Sequence, residues 1–151
     1  MEELGSTHAP NVFLACSNLK SIKVSSKNAV FDSRKNCNAI IETATNTLMV
    51  ACNNTVIPND ITAIGDDAFV FLQKATFAIP QSVRSIGNHS FYDSAIKSIT
   101  LPDSLTSIGE YAFYDCSSLT SVTIPNSVTS IGDQAFRGCS SLTSVTIPNS
   151  V

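Results

Sequence analysis

The sequence predicts a repeat solenoid, mainly β with short helical turns, built from units of about 23 residues. Three observations carry this reading. Pro80, Pro102, Pro125 and Pro148 lie 22, 23 and 23 residues apart, each closing a short apolar stretch. Residues 119–141 match residues 96–118 at 13 of 23 positions, and most differences are swaps such as Ile for Leu or Glu for Asp. Phe69, Phe91, Phe113 and Phe136 recur at intervals of 22, 22 and 23. A unit this short cannot bury its apolar face alone, so neighbouring coils must complete a continuous core.

Within the unit LTSVTIPNSVTSIGDQAFRGCSS at 119–141, the first six residues alternate apolar side chains with Ser and Thr, the period of a strand buried on one face. Val122 and Ile124 are expected to point inward, with Ser121 and Thr123 outward. Pro125 removes a backbone donor where the strand ends, and Asn126 and Ser127 supply turn chemistry. Val128 and Ile131 return to the core along a second, shorter extended side, and Gly132 is expected to bend the chain through a positive φ. Asp133 then stands at the start of a single helical turn, as Asp66 and Glu110 do in other units, and these acids read as caps. The phenylalanines should stack as a column, each ring worth roughly 1.5–3 kcal/mol of burial, with Phe13 extending the set at the front.

Composition narrows the function classes. Of 151 residues, 43% are hydrophobic and 14% charged, which is too apolar for disorder and too interrupted for a membrane span. A net charge of −3 with nine scattered Lys and Arg gives no basic field for nucleic acid. The opening MEELGSTHAPNVF has neither the basic nor the apolar region of a signal peptide. Five cysteines cannot all pair, and Cys116 and Cys139 share one repeat position, which Cys16 also fits. They read as a column of buried free thiols, slow to alkylate, with Cys37 and Cys52 less determined. No metal-ligand spacing, no cofactor-binding glycine loop and no nucleophile elbow occurs, so no metal, cofactor or catalytic residue is expected. His89 falls where other units carry Tyr111 or Gln134 and reads as a variable exposed position.

The stretch GDQAFRGCSSLTSVTIPNSVTSI closely resembles the BspA-type, or treponemal, leucine-rich repeat. The resemblance implies a curved right-handed array, found mainly in bacterial surface proteins, whose best-known members adhere to host matrix or plasma proteins. It transfers no binding residue. It covers residues 57–151 as regular repeats and 1–24 as a partial unit, within one solenoid spanning 1–151. Residues 25–56 depart from it: 33 residues separate Val24 from Ile57 where one period should be 23. The apolar runs at 38–42 and 48–51 flank a polar, Asn-bearing stretch, so this irregular unit reads as a hairpin-like excursion. The charged FDSRKN at 31–36 should lie on its rim. Residues 142–151 repeat 119–128 identically and no polar capping unit is visible. The expectation is a fragment of a longer array, contacting neighbouring repeats or another chain end to end.

The leading functional expectation is a non-catalytic protein-interaction module of a bacterial cell-surface adhesin, exposed or secreted in its parent protein and without membrane insertion in this segment. Its candidate ligand surface is the outward strand face, Ser21 and Lys23, Thr76 and Ala78, Ser98 and Thr100, Ser121 and Thr123, Ser144 and Thr146, together with Arg34 and Lys35 of the irregular unit. The face is small, polar and nearly uncharged, so electrostatic steering is not expected from it. The alternative is a spacer or stalk, favoured by the near-identity of the last units. A third reading takes the Ser-x-Thr ladder as a hydroxyl lattice that binds a repeating surface such as ice, though Lys23 and Ala78 interrupt it.

Overall fold

Two sheets wind around a main core and end differently at the irregular unit, where Ile22, Val50 and Cys52 form a second, smaller apolar cluster. The computed structural model describes Phe13, Cys16 and residues 18–151. Among the described residues nine strands run in chain order: β1 Phe31–Asp32, β2 Ala39–Glu42, β3 Thr47–Ala51, β4 Ala63–Ile64, β5 Thr76–Ala78, β6 Ser85–Ile86, β7 Ser98–Thr100, β8 Ser107–Ile108 and β9 Ser130–Ile131. The short side of the coil forms a seven-stranded sheet in the order β1-β2-β3-β4-β6-β8-β9. From β3 onward its pairing is parallel, one rung per coil, with Ile64 opposite Ile86, Ile86 opposite Ile108 and Ile108 opposite Ile131. The long side carries the parallel pair β5 and β7, continued by a bridge from Ser98 to Ser121.

Residues 39–42 and 47–51 pair antiparallel, with a register shift between Ile40 and Ile41. The two-residue β1 adds a further antiparallel strand, Phe31 opposite Glu42. The hairpin is therefore no appendage. Its strand β3 lies parallel to β4, Leu48 opposite Ile64, and extends the short-side sheet past the regular coils.

Side chains repeat in rows. Ile61, Val83, Leu105 and Val128 form one buried row, and Ile57, Ile79, Leu101 and Ile124 another. Phe69, Phe91, Phe113 and Phe136 stack with centroids 5.0, 5.1 and 5.1 Å apart and planes tilted by 3°, 4° and 6°. Cys116 and Cys139 are buried free thiols. The Cys116 thiol donates to the Phe91 carbonyl (3.1 Å) and the Cys139 thiol to the Phe113 carbonyl (3.2 Å), so each sulfur hooks the preceding coil. Burial raises the Cys116 pKa and pushes that of Cys139 up to about 12. Cys37 and Cys52 are buried as well.

Several expectations need correction. Cys16 is exposed, and Phe13, intended as the first ring of the column, is 39% exposed. Gly132 does not take a positive φ; Gly138 does, at 79°. What Gly132 supplies is absence of bulk. A Cβ there would strike the backbone of Gly109 and Glu110 in the preceding coil, and one on Gly109 would lie 2.6 Å from the Gly87 carbonyl carbon. The acids after these glycines do not cap helices. Residues 66–72 and their equivalents are successive single turns, Ala68 N–H to Gly65 O, Val70 to Asp67 and Leu72 to Phe69. Left-handed residues at Asp67 (φ 56°) and Phe71 (φ 59°) break any helix. Alternate N–H groups thereby turn toward the next coil, Asp67 to Asn88 O and Phe69 to Ser90 O. The side chains follow: Asn88 N–H donates to Asp66 Oδ1 (2.7 Å), and Glu110 N–H to Asn88 Oδ1 (2.9 Å). Asp66 and Asn88 thus bond the next coil through their side chains, whereas Glu110 gives its backbone amide and the Asp133 carboxylate accepts from Gln134 of its own coil (3.2 Å).

Candidate functional site

Alternation around β5 and β7 sets the geometry of the strand face. Phe77, Ile99 and Val122 are buried, so their neighbours Thr76 and Ala78, Ser98 and Thr100, Ser121 and Thr123 must point outward, and all six are exposed. Register places Thr76 beside Ser98 and Ala78 beside Thr100, at a rung spacing of about 4.8 Å. Ser144 and Thr146 are exposed in the last coil. Ser21 and Lys23 flank the buried Ile22 in the same alternation, but their segment forms no strand and pairs with none of this face.

The many hydroxyls of the chain divide into two kinds. Thr62, Thr106 and Thr129 donate to the carbonyls of Thr45, Arg84 and Thr106, and Thr120 donates to Lys97 O, each reaching back one coil. The strand-face hydroxyls of Thr76, Ser98, Thr100, Ser121 and Thr123 take no such partner among the described residues and remain open to solvent. Sequence alone does not separate the two kinds, because both are Ser or Thr in alternating runs.

Arg34 and Lys35 lie apart from this face, on a 3-10 turn at Arg34–Asn36. Arg34 Nη2 reaches Asp32 Oδ2 at 2.8 Å, its Nε bonds the same carboxylate, and Nη1 donates to Asn46 Oδ1 at 2.8 Å. The bond from Arg34 holds the Asp32 carboxyl below its ordinary pKa. Arg34 thus ties β1 to the hairpin turn. Lys35 is the exposed member, its Nζ 3.6 Å from Asp60 Oδ1.

A second aromatic ladder escaped the sequence reading. Tyr92 stacks on Tyr114 (5.1 Å, 3°), His89 on Tyr111 (5.0 Å, 1°), and the Arg137 guanidinium lies 5.7 Å from the Tyr114 ring centre. All five residues except Arg137 are half-buried, so His89 is neither free nor fully exposed. Its signal in the sequence is the 22-residue interval from Tyr92 to Tyr114, one repeat length. His8 lies outside the described residues. Among the described residues no three His, Cys, Asp or Glu side chains gather as metal ligands, and no helix is long and apolar enough to cross a membrane.

Stacked 22- or 23-residue coils with one exposed strand face define a leucine-rich repeat solenoid. Residues 48–151 match six copies of the BspA type leucine-rich repeat region, and the chain belongs to that family. It is similar in structure to a leucine-rich cell surface protein of Faecalibacterium prausnitzii, with TM-score 0.81 and 31% identity over 93% of this chain and 39% of that one. A leucine-rich repeat protein of Bacteroides capillosus aligns with TM-score 0.64 and 25% identity, over 84% of this chain and 97% of that one. The pneumococcal vaccine antigen PcpA shares the fold, with TM-score 0.76 and 23% identity over 88% of this chain and 34% of that one. The chain spans 39% and 34% of the length of the first and last of these. No significant match to a curated protein was found.

Proposed function

We propose that this chain is a non-catalytic interaction module of a bacterial cell-surface adhesin, presenting its strand face to an extracellular protein. The observation that carries the reading is the run of outward hydroxyls at Thr76, Ser98, Thr100, Ser121 and Thr123, exposed and unused by the fold. Membership of the family, and a similar protein described as a cell surface protein, support the placement at the surface. Other polar side chains, such as Thr62, Thr106, Thr120 and Thr129, are engaged in coil-to-coil bonding, so the reading rests on surface and not on chemistry.

The test is surface plasmon resonance against a panel of immobilised matrix and plasma proteins. Thr100→Lys with Thr123→Lys should abolish binding while leaving the urea midpoint nearly unchanged, because exposed positions carry little packing. Lys35→Ser is the matching probe of the irregular unit, since replacing Arg34 would also undo the Asp32 and Asn46 contacts. Binding that ignores both changes would displace the adhesin reading in favour of a spacer, which the identical outward Ser and Thr of the last two coils favour.

A further inference from the structure

The long-side sheet stops at β5 for a reason that lies in residues 52–56. In a regular coil, these residues would form the next rung beside β5. They are instead drawn toward the irregular unit: Val56 N–H donates to the Cys37 carbonyl (3.1 Å), Thr55 Oγ1 to the Asn38 carbonyl (2.6 Å), and Asn38 Nδ2 to the Asn54 carbonyl (3.4 Å). A parallel strand directs alternate residues to opposite neighbours. Ser98 N–H donates to Ala75 O and Ile79 N–H to Thr100 O, so Ala75 and Ile79 face β7. Thr76 and Ala78 must face the other way, and their N–H and C=O groups meet no backbone partner among the described residues.

A gap of about 350 Å³ opens along that edge. Val56, 69% exposed, and Ile57 wall one side; Phe77, Ala78 and Ile79 wall the other. Lys74 also lines the gap. It occupies the repeat position held by Ile96, Leu119 and Leu142, an apolar row, and its ammonium lies 5.4 Å from the Phe77 ring centre. It makes no ion pair among the described residues.

We propose that this groove is a docking site for an extended peptide segment of a partner protein, which adds as a strand to the free edge of β5. The occupant needs backbone donors and acceptors to meet Thr76 and Ala78, an apolar side chain to enter between Val56 and Phe77, and a carboxylate to meet Lys74. Edge pairing supplies the hold, and the apolar and acidic positions supply the choice of sequence. The site goes beyond the strand-face reading and does not depend on it, because it uses the edge of the sheet and not its face.

The probe is a blocked seven-residue peptide of alternating valine and threonine with one central glutamate, titrated into the ¹⁵N-labelled chain. Saturable shifts at the Thr76 and Ala78 amides are expected, with hydrogen exchange at both slowed at least tenfold at saturation. A lysine in place of the glutamate should weaken binding about tenfold, close to 1.4 kcal/mol, and Lys74→Glu should reverse that preference. Ala78→Pro removes one outward donor that the fold does not use and should abolish binding. Should that variant misfold, Val56→Arg fills the groove from an exposed position instead. The proposal is overturned by shifts confined to other residues, or by none at millimolar peptide. It is equally overturned if the two amides are already protected in the free protein: concentration-independent protection assigns the edge to the chain itself, and concentration-dependent protection to a second copy.

Discussion

Truncating Phe113 to alanine tests the inward face of the repeat most directly. Phe113 is fully buried, with Phe91 and Phe136 rings each 5.1 Å away and nearly parallel. A buried Phe→Ala change costs about 3–5 kcal/mol, the spread reflecting how far the site collapses. Collapse is poor here. The Phe91 N–H is fixed to the Ala112 carbonyl and the Phe113 N–H to the Ala135 carbonyl, both at 2.8 Å, so the flanking rings cannot close on the void. The upper half of the range follows, about 4 kcal/mol, or a urea midpoint lowered by roughly 2 M for an m near 2 kcal/mol per M. Tyr111 provides the control. It is half-buried, stacked on His89, and its hydroxyl accepts a bond from Gln134 Nε2 at 2.9 Å. Its truncation should cost about 1 kcal/mol. Equal midpoint shifts for the two variants would refute the assignment of the core face. A lowered m for Phe113→Ala, with unchanged m for Tyr111→Ala, would show in addition that the middle coil couples the two ends of the array.

Gly132→Ala should destabilise by several kcal/mol, seen as a lower melting temperature, while Gly65→Ala, whose added Cβ would come no closer than 3.1 Å to Leu48 O, should cost far less. Iodoacetamide with mass spectrometry should label Cys16 rapidly in the folded protein and Cys37, Cys52, Cys116 and Cys139 slowly, with no crosslink between Cys116 and Cys139. Because burial raises the Cys139 pKa from 9.0 to about 12, the folded state keeps a proton that the unfolded state loses, and stability should fall as pH rises from 9 toward 12. Urea midpoints across that window should show the decline, and Cys139→Ala should reduce it. Ser90 is buried where other coils carry Ala68, Ala112 and Ala135, and its hydroxyl has no hydrogen-bond partner among the described residues; Ser90→Ala should raise stability by about 1 kcal/mol in urea unfolding.

The regular coils were legible because each row of the core is written several times: Ile86, Ile108 and Ile131, or Phe91, Phe113 and Phe136, need only be aligned to be read. Such repetition fixes which side chains point inward. It does not fix what the turn backbone does. The left-handed residues at the turn include Asp67, His89, Tyr111 and Gln134, which share no side-chain chemistry, while the second set, Asp93, Asp115 and Gly138, favours a positive φ by residue type except at Phe71. The bonds from Asn88 and Glu110 amides to side chains one coil earlier span 22 residues, beyond any local capping rule. Of the candidate surface, the outward alternation around Phe77, Ile99 and Val122 was readable, whereas the engagement of Arg34 with Asp32 and Asn46 was not, since the Asn46 contact needs the hairpin closed.

Regularity also limits what a strand face can say. Thr76, Ser98 and Ser121 succeed one another at a constant rung, so a ligand shifted by one coil meets nearly the same hydroxyls. Such a face can accumulate contact area with coil number but offers no register, and a ligand that exploits it should itself be extended or repetitive. Register must come from a fault in the repeat. The choice of Cys37 rather than β5 as partner for residue 56 is one such fault. It leaves the long-side sheet with a bare edge at Thr76 and Ala78, beside Lys74, which stands in the row otherwise held by Ile96, Leu119 and Leu142. β3 meanwhile continues the short-side sheet through the irregular unit, over the buried Leu48 and Ile64. The short-side sheet passes into the irregular unit while the long-side sheet ends before it, so the irregular unit contributes a position along the array that the regular coils lack.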